Sequence, residues 1–141
     1  MKTIYKSFVF LIIAIGFSRL QAQTINTIDF TITSKTLSVM GKTLPASSTI
    51  TKSGDTLTWA QSTEENVSSS NTTVFKILDT LGNWDTAAGL GEVTYNMSLG
   101  GHQCLLKLTG NSQGISAKLS FLKSNNGQGD YTFNISNITY Q

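Results

Sequence analysis

The sequence has one cysteine, one proline and one histidine among its 141 residues, and only 13% of the residues are charged. One cysteine excludes an intramolecular disulfide framework, and one histidine beside it is too few for the three or four ligands that zinc takes. Apart from one run near the start, no apolar stretch approaches the roughly 20 residues of a membrane-spanning helix. The chain must therefore be stabilised by an apolar core, and its length suits one domain.

The one long apolar run, FVFLIIAIGF at 8–17, follows Lys2 and Lys6. Ten apolar residues between a basic start and a small residue, Ala22, are typical of a secretory signal peptide. We therefore expect residues 1–22 to be removed and residues 23–141 to fold as a single secreted or periplasmic domain. No cysteine follows the run directly, so the sequence predicts a released protein, with no transmembrane segment after cleavage.

Removal of the signal peptide takes away the only arginine, Arg19, and leaves seven lysines against eight acidic residues. A surface without arginine or a basic run lacks the usual contacts to phosphate groups. We therefore expect no nucleic-acid partner. Serine, threonine and asparagine make up about 37% of residues 23–141, so the surface is polar but carries little charge.

Two short patterns resemble features of proteins exported by Bacteroidetes. The end LQAQ is similar to signal-peptide ends common in that phylum, and three tripeptides resemble its O-glycosylation signal, in which Asp precedes Ser or Thr and a methyl-bearing residue. They are Asp55-Thr56-Leu57, Asp79-Thr80-Leu81 and Asp85-Thr86-Ala87. The resemblance implies a glycoprotein modified at Thr56, Thr80 and Thr86. The alternative is that these Asp-Thr pairs serve only turns and strand starts.

Apolar and polar residues alternate along most of residues 23–141, without the i, i+3, i+4, i+7 stripe of a helix. The alternation predicts an all-β fold, a small antiparallel β-sandwich of about eight to nine short strands, with a small β-barrel as the alternative. We expect a hairpin across Ser53-Gly54 and a bulge near Ser136-Asn137, where the alternation changes parity. A glycine-rich loop is expected over residues 82–91.

Trp84 is the residue that most suggests binding. It lies between Asn83 and Asp85 in the glycine-rich stretch, and a loop can display an aromatic ring for stacking on a sugar beside polar groups for the hydroxyls. Trp84, Asn83 and Asp85 are therefore the predicted ligand-binding residues. The alternative is that Trp84 folds back to plug one end of the domain. Trp59 is expected in the core, and Tyr95 and Tyr131 are expected to be half-buried with their hydroxyls at the rim.

The sequence offers few residues for catalysis or metal binding. The segment 110–114 (GNSQG) has the letters of a nucleophile elbow, but a strand pattern follows it and His102 precedes it, so we predict a hairpin turn. No pattern in the sequence brings two carboxylates together in one site, so we expect neither an enzyme nor a resident cofactor. A Ca²⁺ site formed by Asn83, Asp85 and Glu92 is the metal alternative. Cys104 is expected either to be buried or to pair between chains.

The sequence is compatible with three functions. The first is an exported, non-catalytic module that binds carbohydrate or another cell-surface polymer. The second is a structural or adhesive surface protein that self-associates through strand edges, since few charges protect those edges. The third is a lipocalin-like barrel that holds a small ligand among its apolar strands.

Overall fold

The computed structural model describes residues 28–63, 66–122 and 129–141, without the side chains of residues 63–70. The expected signal peptide, residues 1–22, lies outside the described residues. Eight strands are present: β1 (Phe30–Val39), β2 (Lys42–Ser53), β3 (Thr56–Thr63), β4 (Asn66–Asp85), β5 (Leu90–Leu99), β6 (His102–Asn111), β7 (Gly114–Phe121) and β8 (Asp130–Tyr140). The described part of the chain holds no helix long and apolar enough to cross a membrane.

The prediction of an all-β fold is confirmed, and the architecture is the barrel that was the alternative to a sandwich. Each strand pairs antiparallel with the next, and β8 pairs with β1, which closes the sheet. At this seam Phe30 lies opposite Tyr140. A sandwich and a barrel share the same local alternation, so only this pairing between distant parts of the chain distinguishes them.

The up-and-down order of the strands defines two ends of the barrel. β1, β3, β5 and β7 end at the upper end. The lower end carries the turns that follow β2, β4 and β6, together with the start of β1 and the end of β8. There the Gln141 N–H donates a hydrogen bond of 2.9 Å to the Asp29 carbonyl, so the lower end of the seam is tied.

The strands of the barrel are strongly staggered. One circuit of paired residues starts at Asn71 on β4 and returns to the same strand at Trp84, 13 residues further along. One of these 13 is the extra residue of a bulge between Ile77 and Asp79. A large stagger tilts the strands and widens an eight-stranded barrel. The residues of the circuit are Asn71, Gln61, Ser48, Ser34, Ile135, Ile115, Gly110, Gly91 and Trp84.

Side chains that point into the barrel form one apolar core, and Trp59 belongs to it as predicted. The outer face is mostly polar, but Val74, Leu78 and Leu81 of β4 and Leu90 of β5 are exposed. The buried apolar residues are Phe30, Ile32, Leu37, Ala46, Ile50, Leu57, Trp59, Phe75, Trp84, Val93, Tyr95, Met97, Cys104, Leu106, Leu108, Ala117, Leu119 and Phe133.

Two local predictions are confirmed. The hairpin between β2 and β3 turns at Gly54, whose φ of 57° suits glycine. In the seam, Thr33 pairs with Asn137 and Ser34 pairs with Ile135, which leaves Ser136 as the bulged residue. The Ser136 hydroxyl donates to the Thr33 carbonyl at 3.0 Å. The change of parity in the sequence therefore corresponds to a bulge at Ser136 in β8.

The expected glycine-rich loop over residues 82–91 is mostly strand, because β4 continues to Asp85 and β5 begins at Leu90. Gly82 and Gly91 have φ values of 110° and 129°. A Cβ at either position would collide with a backbone carbonyl of the opposite strand. These glycines permit the two strands to approach each other closely. Glycine is also common in loops, so composition alone did not distinguish this strand pair from a loop.

Candidate functional site

Trp84 lies inside the lower end of the barrel and is 1% exposed. Its Nε1 donates a hydrogen bond of 2.7 Å to the Tyr140 hydroxyl. The indole also fills the space beside Gly110, where an added Cβ would lie 2.7 Å from the ring. A ring this buried offers no face to a ligand in solvent. The expectation of a sugar-stacking platform is therefore corrected, and Trp84 is the plug described by the alternative.

Two polar residues near Trp84, Asp85 and Glu92, already have partners. Asn83 lies opposite Glu92 in the β4–β5 pair. Asp85 Oδ1 accepts hydrogen bonds from two backbone N–H groups of the following turn, at 2.9 and 3.0 Å. Glu92 Oε2 lies 2.9 Å from Lys107 Nζ. Within the described ranges, no three His, Cys, Asp or Glu side chains lie close enough together to hold a metal ion.

An ion pair between the buried Lys52 and the partly exposed Asp29 also lies at the lower end. Lys52 lies opposite the buried residue Phe30 and is itself 2% exposed, with its Nζ 3.1 Å from Asp29 Oδ1. The same carboxylate accepts a hydrogen bond of 2.8 Å from the Gly54 N–H. The backbone bond from Gly54, followed by the bond from Lys52, lowers the pKa of Asp29. Trp84 and Lys52 therefore occupy part of the interior at the lower end.

The upper end also carries half-buried apolar side chains, as the lower end does at Ile115, Ile138 and Tyr140. It differs because no hydrogen bond like that between Trp84 and Tyr140 engages its described aromatic side chains. Val39, Leu99 and Phe121 are the last residues of β1, β5 and β7, and Tyr131 is the second residue of β8. All four pack against the core and remain partly exposed. We call these four residues the upper rim. The expectation that Tyr131 is half-buried is confirmed.

At and below the upper rim, aromatic rings extend across the barrel. The Trp59 ring of β3 lies 5.3 Å from Tyr131 and 5.5 Å from Phe133, measured between centroids. The Phe121 ring lies 6.0 Å from Tyr131 and 6.3 Å from Phe75 of β4. At these distances tilted and edge-to-face rings attract one another. We call the five rings the aromatic floor, which joins opposite walls of the barrel.

Three buried polar atoms have no hydrogen-bond partner among the described residues: Ser48 Oγ, Trp59 Nε1 and Tyr95 Oη. All three residues face the interior, in register with other buried positions. Tyr95 is fully buried, so the expectation of a half-buried Tyr95 is corrected. Desolvation, followed by the nearby Tyr140, raises the pKa of the Tyr95 hydroxyl. Buried polar groups are normally bonded, so these atoms need an explanation.

The other candidate residues do not form a reactive site. Cys104 has a buried free thiol whose pKa is raised by that burial, whereas His102 is exposed at the start of β6. The predicted hairpin turn at residues 110–114 is present, and Asn111 Oδ1 accepts the Gln113 N–H at 2.8 Å. A polar surface pocket of about 250 Å³ lies beside this turn, and no charged side chain lines it.

The three threonines expected to carry sugars are all half-buried. Thr56 is the first residue of β3, and Thr86 lies in the turn after β4. Thr80 is paired with Tyr95 and shares its inward face. Modification of Thr56 and Thr86 stays a prediction, and Thr80 is the least accessible of the three by orientation.

The comparisons of this chain with family models, curated proteins and solved structures give no match. Sequence patterns missed the upper rim because its residues lie at the ends of four separate strands. An available signal was the placement of Val39, Leu99 and Phe121 directly before turns, where polar residues are common.

Proposed function

We propose that this chain is an exported, non-catalytic barrel that binds a small apolar ligand at its upper end. The observation that carries the proposal is the difference between the two ends. At the lower end the half-buried Tyr140 is bonded to the buried Trp84, and Lys52 is paired with Asp29, whereas the half-buried side chains of the upper rim lie among aromatic rings. This is the lipocalin-like alternative among the three functions.

The shape of the barrel supports this proposal. Eight strands enclose an interior that is either filled by side chains or holds one small ligand, and a large stagger widens it. The aromatic floor supplies rings on which a flat ligand can pack. Ligand sites are mostly apolar, with a few polar groups that fix orientation. Ser48 and Trp59 supply such groups directly below the upper rim.

The proposal is tested by titration of the purified protein with the uncharged fluorescent probe N-phenyl-1-naphthylamine. We expect a saturable rise in fluorescence, and Tyr131→Ala weakens binding by at least about fivefold, since it removes a ring of the floor. Leu81→Ala, on the outer face of β4, is the matched control and leaves binding unchanged. Absence of saturable binding, or equal affinity in Tyr131→Ala and the wild type, contradicts the proposal.

Carbohydrate binding is the second candidate, and it now depends on different residues. Trp84 is buried, and the half-buried aromatic rings of the described residues are Phe121 and Tyr131 of the upper rim and Tyr140, whose hydroxyl already accepts the Trp84 hydrogen bond. A panel of soluble and insoluble polysaccharides, tested with Tyr131→Ala beside Trp84→Phe, separates the two sites. Binding that Tyr131→Ala abolishes and Trp84→Phe retains supports a sugar at the upper end, whereas a panel without binding removes this candidate.

The structural or adhesive alternative would depend on self-association through β4. In the described part of the chain, β4 pairs with β3 up to Lys76 and with β5 from Lys76 onward. After the Ile77 N–H, which donates to the Asp55 carbonyl at 2.7 Å, β4 has no described partner on its β3 side. Leu78 and Leu81 are 56% and 58% exposed there. An unpaired strand edge of this kind can pair with the same strand of a second copy.

Sedimentation velocity over a wide concentration range tests this alternative. A dimer that forms with concentration in the wild type and is lost in Leu81→Lys supports pairing through β4, because a lysine on the edge opposes strand pairing. Met40→Lys, at the exposed turn after β1, is the control for added charge. A protein that stays monomeric at every concentration excludes the alternative.

A further inference from the structure

The unpartnered polar atoms below the upper rim narrow the class of ligand. We infer that the upper end binds an uncharged, ring-bearing molecule that presents a hydrogen-bond acceptor, such as a carbonyl oxygen, to Trp59 Nε1 and Ser48 Oγ. This inference rests on the proposed function, because it concerns the same end of the barrel. It adds a hydrogen-bond acceptor to the apolar ligand proposed for the upper end.

The register of β2 and β3 places the two polar atoms on one patch of the inner wall. Ile50 lies opposite Trp59, and Ser48 lies opposite Gln61. Ser48 and Trp59 are therefore diagonal neighbours on the same face, with backbones about 7–8 Å apart. Ser48 is 2% exposed and Trp59 is 9% exposed, so bulk water does not solvate either polar atom freely. Both polar atoms are covered by neighbouring side chains, so a ligand that bonds to them must displace part of that cover.

The chemistry of these groups selects an acceptor. An indole N–H can only donate, while a serine hydroxyl can donate and accept. A buried donor without an acceptor is unfavourable relative to the same donor in water. A carbonyl or ether oxygen between Trp59 and Ser48 removes this cost, and the ring attached to it packs on Tyr131. An ordered water molecule also supplies an acceptor, which the experiment must distinguish.

The charges of the interior select an uncharged ligand. Among the described residues, the buried charged side chain is Lys52, and it is already paired with Asp29 near the lower end. A carboxylate or an ammonium group beside Trp59 would lie in an apolar site without a counter-charge. Burial of an unpaired charge is strongly unfavourable. The polar patch therefore matches a dipole and not an ion.

Three compounds with the same ring system test the inference by calorimetric titration of the purified protein: 2-acetylnaphthalene, 2-ethylnaphthalene and 2-naphthoate. They share the apolar body and differ in a carbonyl, an alkyl group and a charge. We expect 2-acetylnaphthalene to bind about five- to tenfold more tightly than 2-ethylnaphthalene, the value of one hydrogen bond made in a buried site. We expect 2-naphthoate to bind most weakly.

Substitutions assign the preference to the two polar atoms. Trp59→Phe and Ser48→Ala each reduce the advantage of 2-acetylnaphthalene over 2-ethylnaphthalene to within about twofold. Thr49→Ala, one residue from Ser48 on the outward face of β2, retains the advantage. Ser48→Ala removes only a hydroxyl, so it tests the inference if Trp59→Phe does not fold.

The outcomes separate the inference from the function on which it rests. Equal affinities for 2-acetylnaphthalene and 2-ethylnaphthalene mean that water alone satisfies Trp59 and Ser48, and they overturn the inference. Tightest binding of 2-naphthoate overturns it as well. If none of the three compounds and no N-phenyl-1-naphthylamine binds, the proposed function itself fails, and the inference fails with it.

Discussion

The two buried tryptophans differ in the environment of one N–H group. The Trp84 indole donates to Tyr140, whereas the Trp59 indole has no partner among the described residues. Both substitutions to phenylalanine remove similar ring area, but only Trp84→Phe breaks a bond. We expect Trp84→Phe to lower the free energy of unfolding by about 1–3 kcal/mol more than Trp59→Phe does. Urea unfolding followed by circular dichroism measures both.

Tyr140→Phe is the partner control for this bond, because it removes the acceptor of the Trp84 N–H. We expect the double variant Trp84→Phe/Tyr140→Phe to be more stable than the sum of the two single effects predicts. Additive effects, or equal losses for Trp84→Phe and Trp59→Phe, contradict a contribution from the Trp84–Tyr140 bond.

Asp29 makes stability depend on pH in a defined direction. The Gly54 N–H and Lys52 lower its pKa in the folded state. A carboxyl with a lowered folded pKa stabilises the fold above its unfolded pKa and loses this contribution as pH falls through the folded value. Asp29→Asn therefore destabilises the protein at pH 7 and flattens the loss of stability in acid. Thermal unfolding between pH 7 and pH 2 measures this.

Asp130→Asn is the comparison for Asp29→Asn. The pKa of Asp130 is also lowered, first by Lys118 and then by Ser120, but this carboxylate and Lys118 are both about half exposed. Solvent screening makes such a pair weak. We expect a smaller change for Asp130→Asn, and an acid profile of Asp29→Asn that matches the wild type would show that the Lys52–Asp29 pair does not act as described.

At the scale of elements, the turn between β1 and β2 carries avoidable strain. Met40 and Gly41 have φ values of 51° and 77°, and Met40 is 77% exposed. Two-residue hairpins with positive φ at both positions favour Asn-Gly, and methionine is poorly suited to the first position. Met40→Asn is expected to stabilise the protein by about 0.5–1 kcal/mol. Differential scanning calorimetry gives the change in Tm.

The turn between β5 and β6 is the matched control for Met40→Asn. Gly100 and Gly101 have φ values of 56° and 85°, so this hairpin has the same geometry without a strained side chain. Gly100→Asn is expected to leave Tm nearly unchanged. A fall in Tm for Met40→Asn would mean that the Met40 side chain contributes packing that its exposure does not reveal.

Features of the strands were predictable from the sequence where they depend on residues close together in the chain. The hairpin at Gly54 and the bulge at Ser136 follow from turn chemistry and from parity, which are local properties. The continuation of β4 to Trp84 was not predictable, because Gly82 and Gly91 serve strand contact while they resemble loop residues. That error also placed Trp84 on the surface. The aromatic floor was missed for a related reason, since Trp59, Phe121 and Tyr131 meet only through closure.

At the scale of the whole molecule, closure is a nonlocal property. Seven strand pairs join neighbours in the chain, and the eighth joins β1 to β8. The alternation of apolar and polar residues predicts which side chains are buried, but it does not indicate that the first strand pairs with the last. The closure, the stagger and the filled lower end were therefore beyond the sequence pattern, although the all-β class and the approximate number of strands were not.

Closure predicts that the position of the chain ends is not essential to the fold. The described termini meet at the lower end, where the Gln141 N–H donates to the Asp29 carbonyl. A permuted chain, with residues 28 and 141 joined by a short glycine-serine linker and new ends between Gly100 and Gly101, keeps every strand pair. We expect the same far-UV circular dichroism and retained probe binding.

A second permuted chain, opened between Met97 and Ser98 inside β5, is the control. This opening interrupts the pairs of β5 with β4 and β6 in the wall that contains the buried Met97. We expect it to lose stability, because a buried strand is broken, whereas the opening at the exposed Gly100-Gly101 turn breaks none. If both permuted chains unfold alike, the seam between β1 and β8 forms only when those strands begin and end the chain, and closure depends on chain order as well as on pairing.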